Sequence, residues 1–110
     1  SMALGAFLCE GRRRRLIGVA RYHALVGETE AELSVAVRDE YQRKGVGGAL
    51  VRALAEVGVA RGIESFRCEE RGEGILRLLR GSFSEVRERA AAAGARRSWV
   101  RLADRFSDGI

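Results

Sequence analysis

One stretch, Gln42-Arg43-Lys44-Gly45-Val46-Gly47-Gly48, limits what this chain can fold into, because it joins a segment of strand periodicity to one of helix periodicity. Before it, Ala31 to Val37 alternates, with Leu33, Val35 and Val37 on one face and Glu32, Ser34 and Ala36 on the other, the pattern of a strand with one polar side. After it, Val46, Leu50, Leu54 and Val57 form a stripe that Gly62 ends, which predicts a helix of about four turns. The first turn of a helix leaves N–H groups without intrahelical partners, and glycines let a ligand approach them. The junction is therefore an anion site that fits a pyrophosphate, and Arg43 and Lys44 add positive charge beside it.

Proline is absent and glycine occurs 14 times, so glycine builds the turns, taking up positive φ without steric cost. Ala3 to Cys9 and Leu16 to Leu25 are apolar stretches separated by Arg12 to Arg15, which reads as a strand, a basic turn and a strand. Ile63 to Glu69, with Phe66 and Cys68 on one face, predicts a buried strand, and Ile75 to Arg80 a short helix. From Phe83 two readings fit. Phe83, Val86 and Ala90 have helical spacing, followed by a strand at Arg97 to Ala103; a strand, a turn at Gly94 and a strand is the competing pattern. The order up to Arg80 is β-β-β-α-β-α, an α/β (α+β) chain.

The 110 residues suit one domain, which excludes a two-domain reading; residues 1–2 read as a tag remnant or start and 104–110 as a tail. The apolar share is 46% and the charged share 32%, enough to order a core. No apolar run approaches the ~20 residues that span a bilayer, and no leader pattern opens the chain, so a soluble cytoplasmic domain without membrane contact is expected. Cys9 and Cys68 lack metal-ligand spacing and read as buried thiols in a reducing compartment; no metal is expected. The net charge is +5, and only Lys44 among the 20 basic residues is a lysine; this suits an anionic ligand without naming it.

Three phosphate-binding signatures compete for residues 42–48. A Walker A loop needs Gly-Lys-Ser/Thr after four intervening residues, and a dinucleotide fingerprint needs glycine or alanine where this chain has Leu50; both fail. The surviving pattern, Gln/Arg-x-x-Gly-x-Gly/Ala, resembles the acyl-CoA pyrophosphate loop of the Gcn5-related N-acetyltransferase (GNAT) superfamily. The likeness covers roughly residues 4–103. Residues 16–25, 31–37, the 42–48 loop with its helix, and 63–69 look like that superfamily's third and fourth strands, third helix and fifth strand. Val19-Ala20-Arg21-Tyr22-His23 and Ala31-Glu32 are similar to bacterial protein lysine acetyltransferases.

The resemblance implies a GNAT-like mixed, mostly antiparallel sheet with flanking helices, and by family position it makes 83–103 the closing hairpin. Against the family's usual order this chain starts at about the second strand. The implied fold is thus N-terminally short, its acceptor side completed by a second chain or a missing N-terminal region. The family's frequent asparagine before the fourth helix falls at Gly72, and its thiolate-protonating tyrosine near Leu78 or Leu79, which leaves that proton to solvent or another residue.

What the resemblance implies for function is transfer of an acetyl group from acetyl-CoA to an amine, with a protein lysine as the acceptor. Backbone groups of Val35, Ala36 and Val37 would pair with the pantetheine arm like an added strand. Gln42, Arg43, Lys44, Gly45, Val46, Gly47 and Gly48 would hold the pyrophosphate, and an N–H of the preceding strand would polarise the thioester carbonyl. The bland reading of the glycines is helix packing, although an interior helical glycine costs ~1 kcal/mol against alanine. Glu32 is the implied general base, needed because a lysine amine has a reference pKa of about 10.4; the alternative is a strand carboxylate paired with an arginine. Of Tyr22 and His23 on the preceding strand only one can share its face, and His23 reads as a surface histidine.

Arg12 to Arg15 read as a solvated turn, with the CoA 3'-phosphate, an acidic partner or nucleic acid as alternatives. A non-catalytic acyl-CoA-binding or regulatory module is the second functional reading. A nucleic-acid binder is third, since aromatics make up 6% of the chain and stacking platforms need them. The strand at Ala3 to Cys9 should be an open sheet edge, which predicts a homodimer or a twisted, charged edge.

Overall fold

The computed structural model describes residues 1–70 and 74–106. Its elements are β1 (Met2–Glu10), β2 (Arg13–His23), β3 (Glu30–Val37), α1 (Val46–Ala60), β4 (Ser65–Glu70), α2 (Gly74–Ser82), β5 (Arg87–Ala90) and β6 (Arg96–Arg101). The strands form one sheet in the order β1-β2-β3-β4-β6-β5. Its pairs are antiparallel except β3 with β4. A parallel pair needs a crossover of a dozen or more residues, and α1 is that crossover.

Both helices pack on one face. Leu54 and Val51 of α1 and Leu79 of α2 join Phe66, Val100 and Phe83 in the core, with the Tyr22 and Phe66 rings 5.7 Å apart. β1 turns Leu4 and Ala6 toward that core. Strand alternation then points Phe7 outward, and Cys9 with it. Cys9 is exposed, against the buried thiol expected, whereas Cys68 is buried.

The basic turn expected at Arg12 to Arg15 is shorter than predicted. Glu10 pairs with Arg13, so the turn is Gly11 (φ +61°) and Arg12, and Arg13 to Arg15 belong to β2. The arginines tolerate a strand there because their side chains reach solvent: Arg14 covers the Phe7 ring at 5.6 Å and Arg15 meets Glu40 at 3.5 Å. The register shifts between Ala6 and Phe7, a bulge in the edge hairpin.

The closing segment is a hairpin, as family position implies. Helix propensity loses after Ser82 because Phe83 is 2% exposed and bridges to Arg105, so the chain is drawn across the core instead of along α2. Ala93 and Gly94, at φ 59° and 78°, turn β5 back into β6. Residues 104–106 are not a tail: the Ser84 N–H donates to the Asp104 carbonyl at 2.9 Å and the Phe106 N–H to the Ser82 carbonyl at 3.0 Å. The rest of the expected tail, 107–110, lies outside the described residues, as does Gly72. No described helix is long and apolar enough to cross a membrane.

Candidate functional site

The parallel pair is short, and its shortness makes the site. Only Glu30 to Glu32 pair with Ser65 to Arg67; beyond them β3 continues against β2 to Val37, and β4 against β6 to Glu70. The two strands fork, and the fork opens a groove on the helix side. The Arg38 N–H donates to the Ile17 carbonyl at 2.8 Å, which fixes the alternation along β3. Even-numbered residues turn their backbone groups to β2, whereas Val35 and Val37 turn theirs into the fork. Ala36, expected with them, thus has its N–H and C=O directed at β2. The Val37 carbonyl accepts the Gln42 side-chain amide at 3.1 Å, which ties the loop to the strand end.

The loop is shaped by two left-handed residues, Arg43 (φ 62°) and Gly45 (φ 86°). Glycine takes that conformation freely and arginine does not. Such alternation lines up successive N–H groups into a concavity. Gly45 is the N-cap of α1 with no side-chain cap hydrogen bond, and no acidic residue occupies the first turn. The N–H groups of Val46, Gly47 and Gly48 are therefore the open positive end of a 15-residue helix. The start of α2 across the groove is the opposite case, since the Ile75 N–H donates to Glu70 Oε1 at 2.7 Å. A carboxylate already occupies that end, so the open helix-start N–H groups at the groove belong to α1.

Between them lies a cavity of about 210 Å³ lined by Val35, Val37, Gln42, Arg43, Gly45 and Gly47 on one side and by Glu70, Ile75 and Leu78 on the other. Of the remaining loop residues, Lys44 reaches over the Tyr41 ring at 5.8 Å, Val46 packs on the core, and Gly48 sits in the first helical turn. Glu70 and Leu78 are groove residues that sequence reasoning missed as such. Glu70, four residues before the start of α2, carries an acidic pre-helix signal; Leu78 carried none beyond its place in the family pattern.

Packing claims Gly47 more strongly than expected. A Cβ there would meet Leu78 Cδ1 at 2.9 Å and Cδ2 at 3.0 Å, whereas at Gly48 the nearest neighbour is the flexible end of Arg52 at 3.1 Å. Gly47 lets α1 and α2 approach; Gly48 has no such duty.

On the opposite sheet face, at the apex of the fork, stands Glu32. It pairs in register with His23 on β2 and Arg67 on β4, and Arg67 holds Glu30 at 3.2 Å and Glu32 at 3.5 Å. His23 shares the face of Glu32, while Tyr22 points into the core. The Glu32 side chain is 64% exposed, so it remains open to solvent beside Arg67. Cys68, next along β4 but on the buried side, has its thiol pushed up to about 12 by burial, then by the charges of Glu70 and Glu32. Among the described residues no cluster of three or more His, Cys, Asp or Glu is placed to hold a metal.

A mixed sheet forked beside the open end of a glycine-started helix is the architecture of N-acetyltransferases. The acetyltransferase (GNAT) family model matches residues 3–80, and the chain belongs to that family. Among solved structures it is similar to the GNAT domain of PAT from S. lividans, with 25% identity, a TM-score of 0.69, and 78% of this chain and 54% of that one covered. The ribosomal-protein-alanine N-acetyltransferase of Brucella melitensis shares the fold at 19% identity and TM-score 0.70, covering 90% of this chain and 67% of that one. So does the N-acetylglutamate synthase of Neisseria gonorrhoeae in complex with coenzyme A and N-acetyl-glutamate, at 16% identity and TM-score 0.64, covering 79% and 23%. The chain spans about half the length of the S. lividans domain. No curated protein matches it.

Proposed function

We propose that this chain transfers an acetyl group from acetyl-CoA to an amine, a protein lysine in the first instance. The observation that carries this reading is the fork between β3 and β4 with the uncapped end of α1 at its mouth. The GNAT relative solved with coenzyme A supports the donor, and the likeness of residues 19–23 and 31–32 to bacterial protein lysine acetyltransferases supports the acceptor.

In this reading Gln42 to Gly48 bind the pyrophosphate through backbone N–H groups, with Arg43 and Lys44 adding charge. Val35 and Val37 offer their fork-side backbone groups to the pantetheine arm as a neighbouring strand would. A β3 N–H at the fork donates to the thioester oxygen as charge develops there. Glu32, on the other side of the fork, accepts a proton from the amine directly or through water. The amine nitrogen attacks the thioester carbon, the N–C bond forms, the C–S bond breaks, and CoA leaves as a thiolate. Leu78 and Leu79 offer no proton, so solvent supplies it. The open edge of β1 pairs with a second copy.

Thiol release from saturating acetyl-CoA over a panel of lysine peptides tests the reaction. Transfer predicts turnover that Glu32→Gln lowers more than it lowers CoA affinity. Intact CoA binding with no thiol release from any amine would instead establish the second reading, a non-catalytic acyl-CoA module, which the leucine at Leu78 favours.

A further inference from the structure

The sheet face left open by both helices carries, besides Glu32, a second concavity of about 490 Å³. It is lined by Trp99 and Ser65, by Arg87, Arg89 and Arg101, and by the carboxylates Glu85, Glu88 and Asp104. It is tied to Glu32 by a continuous cross-strand row: Glu32 pairs with Arg67, Arg67 with Trp99, and Trp99 with Arg87. Two interstrand spacings separate Glu32 from Trp99, about 10 Å.

The charges of this pocket are unevenly matched. Arg67, in the middle of the row, is engaged by Glu30 and Glu32. Glu88 on the rim is held by Arg80 at 2.7 Å and Arg96 at 3.1 Å. Arg87 and Arg101 reach Glu85 and Asp104 only at 3.7 Å and 3.8 Å. The Arg89 guanidinium lies 5.9 Å from the Trp99 ring centre and has no carboxylate partner among the described residues. An indole flanked by under-matched guanidinium groups suits a carboxylate on a short apolar stem: the ring covers the stem and the fork of N–H donors takes the oxygens.

We propose that this pocket selects the acceptor, holding an acidic side chain about three residues from the lysine presented to Glu32, on an extended peptide laid across the strands. The spacing follows from a rise of about 3.3 Å per extended residue over the ~10 Å row. As a selectivity site it rests on the acetyltransferase reading above.

Trp99 is the only tryptophan, so its emission reports occupancy without turnover. The probes are single-lysine peptides with glutamate three residues before or after the lysine, and the same peptides with arginine or alanine there. A saturable emission change at least about tenfold tighter for the glutamate peptides, lost or reversed in Arg89→Glu, is expected. Thiol release from acetyl-CoA should follow the same order, through KM more than kcat. Equal binding of all peptides, none, or a preference unchanged in Arg89→Glu overturns the proposal. The two readings fail separately. Turnover without preference removes the pocket and keeps the transferase; emission preference without thiol release keeps the acidic-peptide site and removes transfer.

Discussion

Gly47 and Gly48 are neighbours with the same side chain and different duties, and the two separate under mutation. Gly48 occupies the third position of α1, where a glutamate gains helix propensity and interacts well with the helix dipole, together about 1 kcal/mol. Its carboxylate would also occupy the proposed pyrophosphate site. Gly48→Glu is therefore expected to raise the melting temperature and lower acetyl-CoA affinity, opposite signs from one change. Gly47→Val should cost about 1–3 kcal/mol through overpacking against Leu78, read by urea unfolding. The turn that opens α1 was legible in sequence because glycines after a strand pattern mark a turn into a helix. The packing role of Gly47 was not, because it depends on Leu78, 31 positions away.

Cys68 gives a residue-scale pH dependence. Its folded pKa of about 12 lies above the ordinary 9.0, so the stability of the neutral buried thiol is complete below pH 9 and is lost as pH rises toward 12. Unfolding free energy should fall above pH 9 in the parent protein with a slope that Cys68→Ala reduces; an unchanged slope would show that the thiol is not its source. A thiol reagent should label Cys9 at once and Cys68 only in denaturant.

At the scale of elements, the edge hairpin and the closing hairpin carry separate expectations. β1 presents nine residues, Met2–Glu10, with Glu10 its only charge, so little beyond the bulge protects this edge. A dimer in light scattering with slowed amide exchange along β1 is expected; a monomer exchanging rapidly there would exclude edge pairing. In the closing hairpin, Ala93 sits at φ 59°, and Ala93→Gly should gain up to about 1 kcal/mol, measured as a higher urea midpoint. The strands of alternating pattern, β3 above all, and the stripe of α1 could be read directly. Residues 83–93 could not, because their local propensity is helical and the pull of Phe83 into the core is a tertiary effect. Arg13 to Arg15 were misread as a turn for a related reason: charge marks solvent exposure, and an edge hairpin offers that within a strand.

For the whole molecule, a sheet with one face under two helices and the other open divides the labour. The helix side holds the groove, the open side holds Glu32 and the Trp99 pocket, and the fork between β3 and β4 joins them. The order of elements up to Arg80 was legible from periodicity and the closing hairpin through the family pattern, but the cross-strand row from His23 to Arg87 was not. It arises from register, which joins residues from five strands and leaves no mark at any sequence spacing. The central claim, that the fork and the open end of α1 form an acyl-CoA site, is tested most directly by calorimetric titration of acetyl-CoA into the parent protein and Gly48→Glu. Micromolar binding by the parent that Gly48→Glu loses while melting no lower is the predicted result. Absence of binding to the parent, or equal affinity in both proteins, would contradict it.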